Sequence, residues 1–493
     1  MSKGLESYFQ SFRNNIIGID HTFQSPFGEQ KIIYTDWTAS GRLYRPIEDK
    51  LVNDFGPFVA NTHTETSFTG ATMTLAYHKA RNIIKSHVNA SEDDVLITEG
   101  SGMTGVINKF QRILGLRVPE SISKHAQIPQ ELKPIVFITH MEHHSNQTSW
   151  EESIADVEII PCQETGLVCF DSFEKLLEKY ADRPYKIASV TACSNVTGIK
   201  TDYYKIAKMI HQNGGVCFVD FACSAPYVAI DMHPEGDKEA HLDAIFFSPH
   251  KFLGGPGSSG VLIFDEKLYH NTVPDNPGGG TVSYTNPWGE HIFLDDIELR
   301  EDGGTPGFMQ TIRTALSIQL KEQMGVDNIL KREHEINDIV FKALEPIADI
   351  YILAGQHHDR LGIFSFYVED VHYNLIVKLL NDRFGVQTRG GCSCAGTYGH
   401  FLLHVDQETS YDFKEQIAKG CLVERPGWIR MSIHPTITNK EVAYVCDSIK
   451  AVVANYKEWQ KDYVYNADSN EFVYNKKDNA AKNLISNWFD LNE

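Results

Sequence analysis

Long apolar runs are what this 493-residue chain most plainly lacks. No stretch approaches the ~20 consecutive apolar residues that a membrane span requires, so no contact with a bilayer is expected. The first residues, MSKGLESYFQSFRNN, have no apolar core of the kind a signal peptide carries. Cysteine is sparse: nine residues, with none of the close spacing of a disulfide scaffold. Mostly reduced thiols and a cytoplasmic location are therefore expected. Positive charge is also short, 45 Lys and Arg against 65 Asp and Glu, for a net charge of −20. That balance argues against nucleic acid or an anionic membrane as the main partner. There is no internal repeat and no low-complexity tract. What is present, 42% hydrophobic and 22% charged residues, is the balance of a globular protein large enough to form two lobes.

One stretch organises the rest. In DAIFFSPHKFLGGPGSSG, residues 243–260, an apolar run stops at Ser248 and Pro249, and a single lysine, Lys251, follows before a glycine-rich turn and a second apolar run. A lysine between two buried strands, beside Ser248 and His250, is poorly placed for a solvated charge. Burial lowers an amine's pKa and leaves it neutral often enough to attack a carbonyl, as a Schiff-base lysine must. A surface lysine in a hairpin turn is the plainer alternative for this stretch taken alone.

Around it the chain alternates strand and helix. Strands are expected at Val95–Thr98, Ile135–Thr139, Ile187–Thr191, Val216–Val219, Ala244–Phe247 and Val261–Phe264, with helices at Gly70–Val88 and Tyr203–Gln212. This pattern predicts an α/β fold, a mostly parallel sheet covered by helices. The turn Gly100-Ser101-Gly102, opening a helix at Met103, offers free N–H groups and a positive dipole end to a phosphate. The strand Val216–Val219 delivers Asp220 at its C-terminal end, where an acid needs a cationic partner or takes up a proton. His140, His143 and His144, with Glu142 and Glu151 near, invite a zinc reading, but the spacing fits no standard structural site and no metal is expected. Ala39, Ser40 and Gly41 are small enough for a ligand to lie against the backbone. From about residue 330 the composition changes. We divide the chain into an N-terminal segment joining the smaller lobe (1–30), a large domain (31–329), a small α+β domain (330–455) and a polar extension (456–493) whose YVYNADSNEFVY reads as a hairpin.

Taken together, residues 30–455 resemble the class V, fold-type I enzymes that use pyridoxal 5′-phosphate, and among them the cysteine desulfurase and selenocysteine lyase group. SPHK resembles the family's S-x-H-K, MEHHSN its E-H-H-x-N, VDFACSAP its V-D-x-A-Q, SNVTG its S-N-x-x-G and IRMSIHPT its R-x-S motif. The resemblance implies a Schiff base on Lys251 and phosphate contacts from Ser248, His250, Gly102, Met103 and Thr104. It implies His143 stacked on the pyridine, Asp220 on the ring nitrogen, Asn195 near the phenolic oxygen and Arg430 on the substrate carboxylate, with Ala39 beside it. GGGT (278–281) resembles the loop that a partner subunit contributes through Thr281, so a homodimer with shared sites is implied. RGGCSCAG resembles the loop with the catalytic cysteine, placing it at Cys394, with a sulfur-acceptor protein as a further partner.

Two features depart from the family pattern. Cys223 stands where the family has glutamine, and the span from Cys394 to Arg430 is longer than in compact desulfurases. The leading expectation is a carbon–sulfur or carbon–selenium lyase. The alternatives are an aminotransferase or epimerase in which Cys394 is a bystander, and a silent scaffold that binds partners through its acidic surface.

Overall fold

In the computed structural model, residues 4–491 are described apart from 63, 65, 124, 126–127, 424 and 477–479. The larger sheet has seven strands, here β1 (Asp94–Glu99), β2 (Ile135–Thr139), β3 (Asp156–Ile160), β4 (Lys186–Thr191), β5 (Val216–Asp220), β6 (Ala244–Phe247) and β7 (Gly260–Asp265). They lie in the order β1-β7-β6-β5-β4-β2-β3. Neighbours pair in parallel from β3 to β6, and only β7 runs against its neighbours. Strands covered on both faces read as continuous apolar runs, because side chains of either parity are buried. Phe137, Val219, Ile245 and Val261 enter one core, while Val136, Phe218, Phe246 and Leu262 enter the other.

The second sheet is antiparallel: β8 (Ile350–Ile352), β9 (Ile363–Val368), β10 (Arg389–Gly391) and β11 (Trp428–Ser432), in the order β8-β9-β11-β10. Its core is closed by the helices Val326–Leu344, Tyr373–Phe384 and Asn439–Trp459. The last of these starts at a capping box in which Thr438 and Glu441 satisfy each other's backbone N–H groups. The chain's beginning belongs beside this sheet. Ile33–Tyr34 pairs in parallel with Val386–Gln387, Asp36 bridges to Ser432, and Arg13 meets Glu441 at 2.6 Å. Docking to the smaller lobe thus continues past residue 30, and it carries the loop 36–41 into the space between the sheets.

The helix expected from Gly70 begins at Phe68 instead, because the Ser67 hydroxyl caps it by accepting from Gly70 N. The hairpin in the extension is formed by Tyr463–Asn466 and Glu471–Tyr474. The long span before Arg430 folds into two helices, Gly396–Leu402 and Gln407–Ala418. No helix among the described residues is long and apolar enough to cross a membrane.

A buried charge cluster fixes the glycine loops to the larger sheet. Lys109, on the helix Met103–Ile113, has no exposed surface, and its ammonium lies 3.0 Å from Glu301, 3.1 Å from Glu99 and 3.4 Å from Asp275. Burial alone would favour the neutral amine, but Glu301 and Glu99 outweigh it and raise its pKa. Replacing Lys109 with Met would remove the cation from buried Glu301 and from Glu99, while Asp275 would keep Arg112. We expect this variant to lose about 3–5 kcal/mol of unfolding free energy, read by denaturant titration.

Candidate active site

The C-terminal ends of the parallel strands open into a cleft of about 670 Å³ between the two sheets, where open α/β sheets place their ligands. The ends of β1, β2, β4, β5 and β6 supply part of its lining. After β1 comes Gly100-Ser101-Gly102, followed by the helix Met103–Ile113. Gly102 is extended rather than left-handed, with φ 172°, and its lack of a side chain matters for space: a Cβ would lie 3.0 Å from His250 and 3.1 Å from Ser248. Ser248 Oγ accepts from Met103 N at 2.8 Å, and His250 Nδ1 bonds Ser101 O at 2.7 Å. The turn after β6 and the helix N-terminus after β1 therefore form one polar cradle, with Thr104 bonded to Ser145 beside it at 2.6 Å.

Lys251 closes the short 3-10 turn Pro249–Lys251. Its backbone is held from the opposite side by the loop after Asp36, where a Cβ on Gly41 would fall 1.9 Å from Phe252 O. Burial lowers the Lys251 pKa, an effect that Cys223 and Asp220 oppose. Asp220, at the end of β5, shows the complementary effect. Burial raises its carboxyl to about 6, although Ala222 N donates to it at 2.7 Å and Lys251 lies near. His143 caps the helix His144–Glu151, with its Nδ1 accepting from Ser145 N at 3.1 Å. Burial, then the charge of Lys251, lowers it to about 3, so the ring is neutral and carries its proton on Nε2.

Arg430, on β11, is buried, and it donates to Asp36 Oδ1 at 2.9 Å and to Asn195 O at 3.2 Å. Its Nε finds no partner among the described residues. Arg389, on β10, donates to the other oxygen of Asp36 at 2.9 Å. Two guanidiniums thus share one carboxylate, which leaves donor capacity for a further anion. Asp36 and Thr38 escaped sequence reasoning; the signal was KIIYTD, which runs straight into the small-residue loop that holds Ala39 in the cleft.

Cys394 is exposed on the cleft wall and Cys392 half-buried there. Ala395 N donates to Cys392 O at 3.0 Å, closing a tight turn whose central residues, Ser393 and Cys394, have φ of 52° and 56°. Mirror-image turns of this kind normally use Gly or Asn, and each left-handed residue costs about 1–2 kcal/mol. Four hydrogen bonds hold it. Asn195 donates to Ser393 O at 2.7 Å, Trp428 to Ser393 Oγ at 3.2 Å, His144 N to Cys394 O at 2.8 Å and Gly396 N to His144 Nε2 at 2.9 Å. Strain sustained this way is characteristic of functional positions. The Asn195 amide is thereby engaged with the cysteine turn, while its Oδ1 is buried without a partner among the described residues.

Every sequence-predicted site residue lines this cleft except Thr281. Thr281 is fully buried in its own loop, its hydroxyl donating to Gly278 O at 2.7 Å. The five side chains of the zinc reading are dispersed: His140 bonds Gly166 O at 2.9 Å, Glu142 accepts from Thr139 and Asn146, and Gln147 donates to Glu151. Cys223 donates to Cys193 O at 2.9 Å, and both thiols line the cleft. The extension contributes as well: Asn470, at the hairpin tip, reaches the rim and bonds Tyr373 at 3.0 Å.

These residues fit pyridoxal phosphate. The polar cradle suits its phosphate, the orphaned Arg430 Nε suits a substrate carboxylate, and the protonation-prone Asp220 suits a cation that would keep it ionised. A family model described as aminotransferase class-V matches residues 33–445. The chain is 27% identical over 373 residues to a probable cysteine desulfurase of Halalkalibacterium halodurans, covering 74% of this chain and 84% of that one. A probable cysteine desulfurase of Staphylococcus aureus is also 27% identical, with the same coverage. Among solved structures, a cysteine desulfurase from Escherichia coli superposes with a TM-score of 0.70 at 19% identity, over 90% of this chain and 98% of that one. The apo enzyme of Thermococcus onnurineus gives 0.69 at 20%, over 86% and 95%. At such identity the superpositions show the shared fold.

In ligand-free protein the raised Asp220 pKa has a definite sign. The folded state holds this proton above pH 3.8, where the unfolded chain has released it, so stability falls as pH rises from about 4 to about 6. Asp220→Asn should remove the penalty, which is at most about 3 kcal/mol. In thermal melts we expect the variant to be more stable than wild type above pH 6 and to lose that advantage below pH 4.

Proposed function

The chain belongs to the aminotransferase class-V family, and on that premise we propose that it is a pyridoxal-phosphate enzyme that cleaves the carbon–sulfur or carbon–selenium bond of L-cysteine or a close relative. The observation that carries the reading is the strained turn presenting Cys394 in the same cleft as Lys251, Asp220 and Arg430. Pyridoxal phosphate, when bound, withdraws electrons from the substrate's α-carbon.

The residues of this chain do the rest. Lys251 would hold the cofactor's aldehyde carbon and would move the α-proton, for which a lowered amine pKa suits it. Asp220 would keep the ring nitrogen protonated, and neutral His143 would offer its ring to the cofactor's ring. Ser248, His250 and the helix start at Gly102, Met103 and Thr104 would hold the phosphate, with the Met103 N–H engaged by the Ser248 hydroxyl. Because His250 Nδ1 already bonds Ser101 O, its second nitrogen would donate only from a protonated ring, a state that burial disfavours and a phosphate charge would favour. Arg430 fixes the substrate carboxylate, with Asp36 holding the guanidinium in place and Ala39 leaving room beside it. Cys394 then takes the sulfur as a persulfide for transfer to an acceptor protein.

We further propose a homodimer in a reducing, cytoplasmic setting. All nine cysteines are unpaired. The hairpin Val282–Thr285/His291–Phe293, next to Thr281, exposes Tyr284, Ile292 and Trp288, the last at 84%. A second copy covering that face would bring GGGT toward its neighbour's phosphate cradle. Light scattering tests this: a monomer that retains cofactor on dilution overturns it.

For the activity, purified holoenzyme should convert L-cysteine to alanine. Lys251→Ala should lose the visible absorption that borohydride abolishes and slow turnover at least ~10²-fold. Arg430→Ala should lower kcat/KM about 10²-fold or more for every amino acid tried, whereas Cys394→Ala should stop sulfur release from cysteine alone. If Cys394→Ala leaves turnover intact while Arg430→Ala abolishes it, the enzyme is an aminotransferase or epimerase.

A further inference from the structure

The reactive turn carries two thiols, and the lyase reading uses only one. Cys392 and Cys394 are the first and third residues of the turn closed by Ala395 N and Cys392 O. Both line the cleft, and residues two apart in a chain have Cα atoms within about 7 Å. Cys392 also has a cationic neighbour: Arg425, from the segment between the inserted helices and β11, donates to its sulfur at 3.6 Å and itself lines the cleft.

We propose that Cys392 is a second sulfur carrier, receiving the sulfane sulfur from Cys394 and holding it beside Arg425. This rests on the lyase reading, in which Cys394 is left as Cys394–S–SH. The Cys392 thiolate attacks the outer sulfur. A Cys392 S–S bond forms as the Cys394 S–S bond breaks, and Cys394 departs as thiolate. The transferred sulfur keeps its oxidation state, so no oxidant or reductant is consumed, and the thiolate lost at Cys392 is regained at Cys394.

A persulfide is more acidic than a thiol, so its proton passes to the departing Cys394 thiolate, and the stored sulfur is an anion suited to the Arg425 guanidinium. The transfer also frees Cys394, the exposed thiol, for a second substrate while the first sulfur is stored. The left-handed turn suits the exchange, because Ala395 N holds Cys392 O while His144 N holds Cys394 O, which fixes the backbone at both cysteines and leaves side-chain torsions to adjust.

The test is the burst of alanine from holoenzyme and L-cysteine, without reductant or acceptor protein. Alkylation and fragment-ion mapping of the peptide spanning both cysteines follow. Wild type should release about two alanines per site, with added sulfur on both cysteines. Cys392→Ala and Cys392→Ser should each release about one, with sulfur on Cys394 alone. A wild-type burst of about one, with sulfur confined to Cys394, overturns the second carrier and leaves the lyase reading standing. Sulfur reaching Cys392 in Cys394→Ala overturns the order of transfer. No alanine and no added sulfur in wild type overturns the lyase reading together with the relay. The mapping on wild type holds even if a variant fails to fold.

Discussion

Desolvation of opposite charges in one cleft is the constraint on which the rest of this structure depends. Lys251 and Asp220 lie near each other in the cleft, and burial pushes them in opposite directions, the amine down and the carboxyl up to about 6. They make no ion pair with each other, so the desolvation of each is only partly offset by the other's charge. Arg430 cannot escape in that way, because a guanidinium keeps its proton. It must have a carboxylate, and that carboxylate is Asp36. The N-terminal segment is therefore an electrostatic component of the cleft, and its docking along the smaller sheet sets the position of the arginine.

The same logic extends to the turn at Cys394. A left-handed pair of non-glycine residues is unfavourable by itself, and it persists because groups from both lobes converge on it. Asn195 comes from the loop after β4, His144 from the helix after β2, and Trp428 from β11. Moving either lobe relative to the other would break one of these bonds, so the position of the exposed thiol reports whether the cleft is assembled. The span between Cys394 and β11 adds Arg425 to this wall and the C-terminal hairpin adds Asn470, so the cleft mouth is built from the parts of the chain that look least regular in sequence.

Much of this was legible in the residues. Apolar runs such as IVFIT and AIFF could bury both faces only inside a covered sheet, and the polar residue ending each run had to emerge at a strand's C-terminal edge. That put Asp220 and Ser248 at strand ends, and the motif resemblance implied that they share one site with Lys251 and the Gly102 turn. Tertiary structure alone decided the pairing of Arg430 and Arg389 with Asp36, residues 353 or more positions apart in sequence. It also decided the left-handed turn at Ser393 and Cys394, which no local preference favours, and the commitment of Asn195 to that turn. The physical reason is range. Strand, turn and cap are fixed by contacts among near neighbours and by the parity of apolar residues, which a sequence states directly. Which buried charge meets which partner, and which strained turn is tolerated, depends on distant segments whose hydrogen bonds and desolvation costs are settled only when the two lobes close on one another.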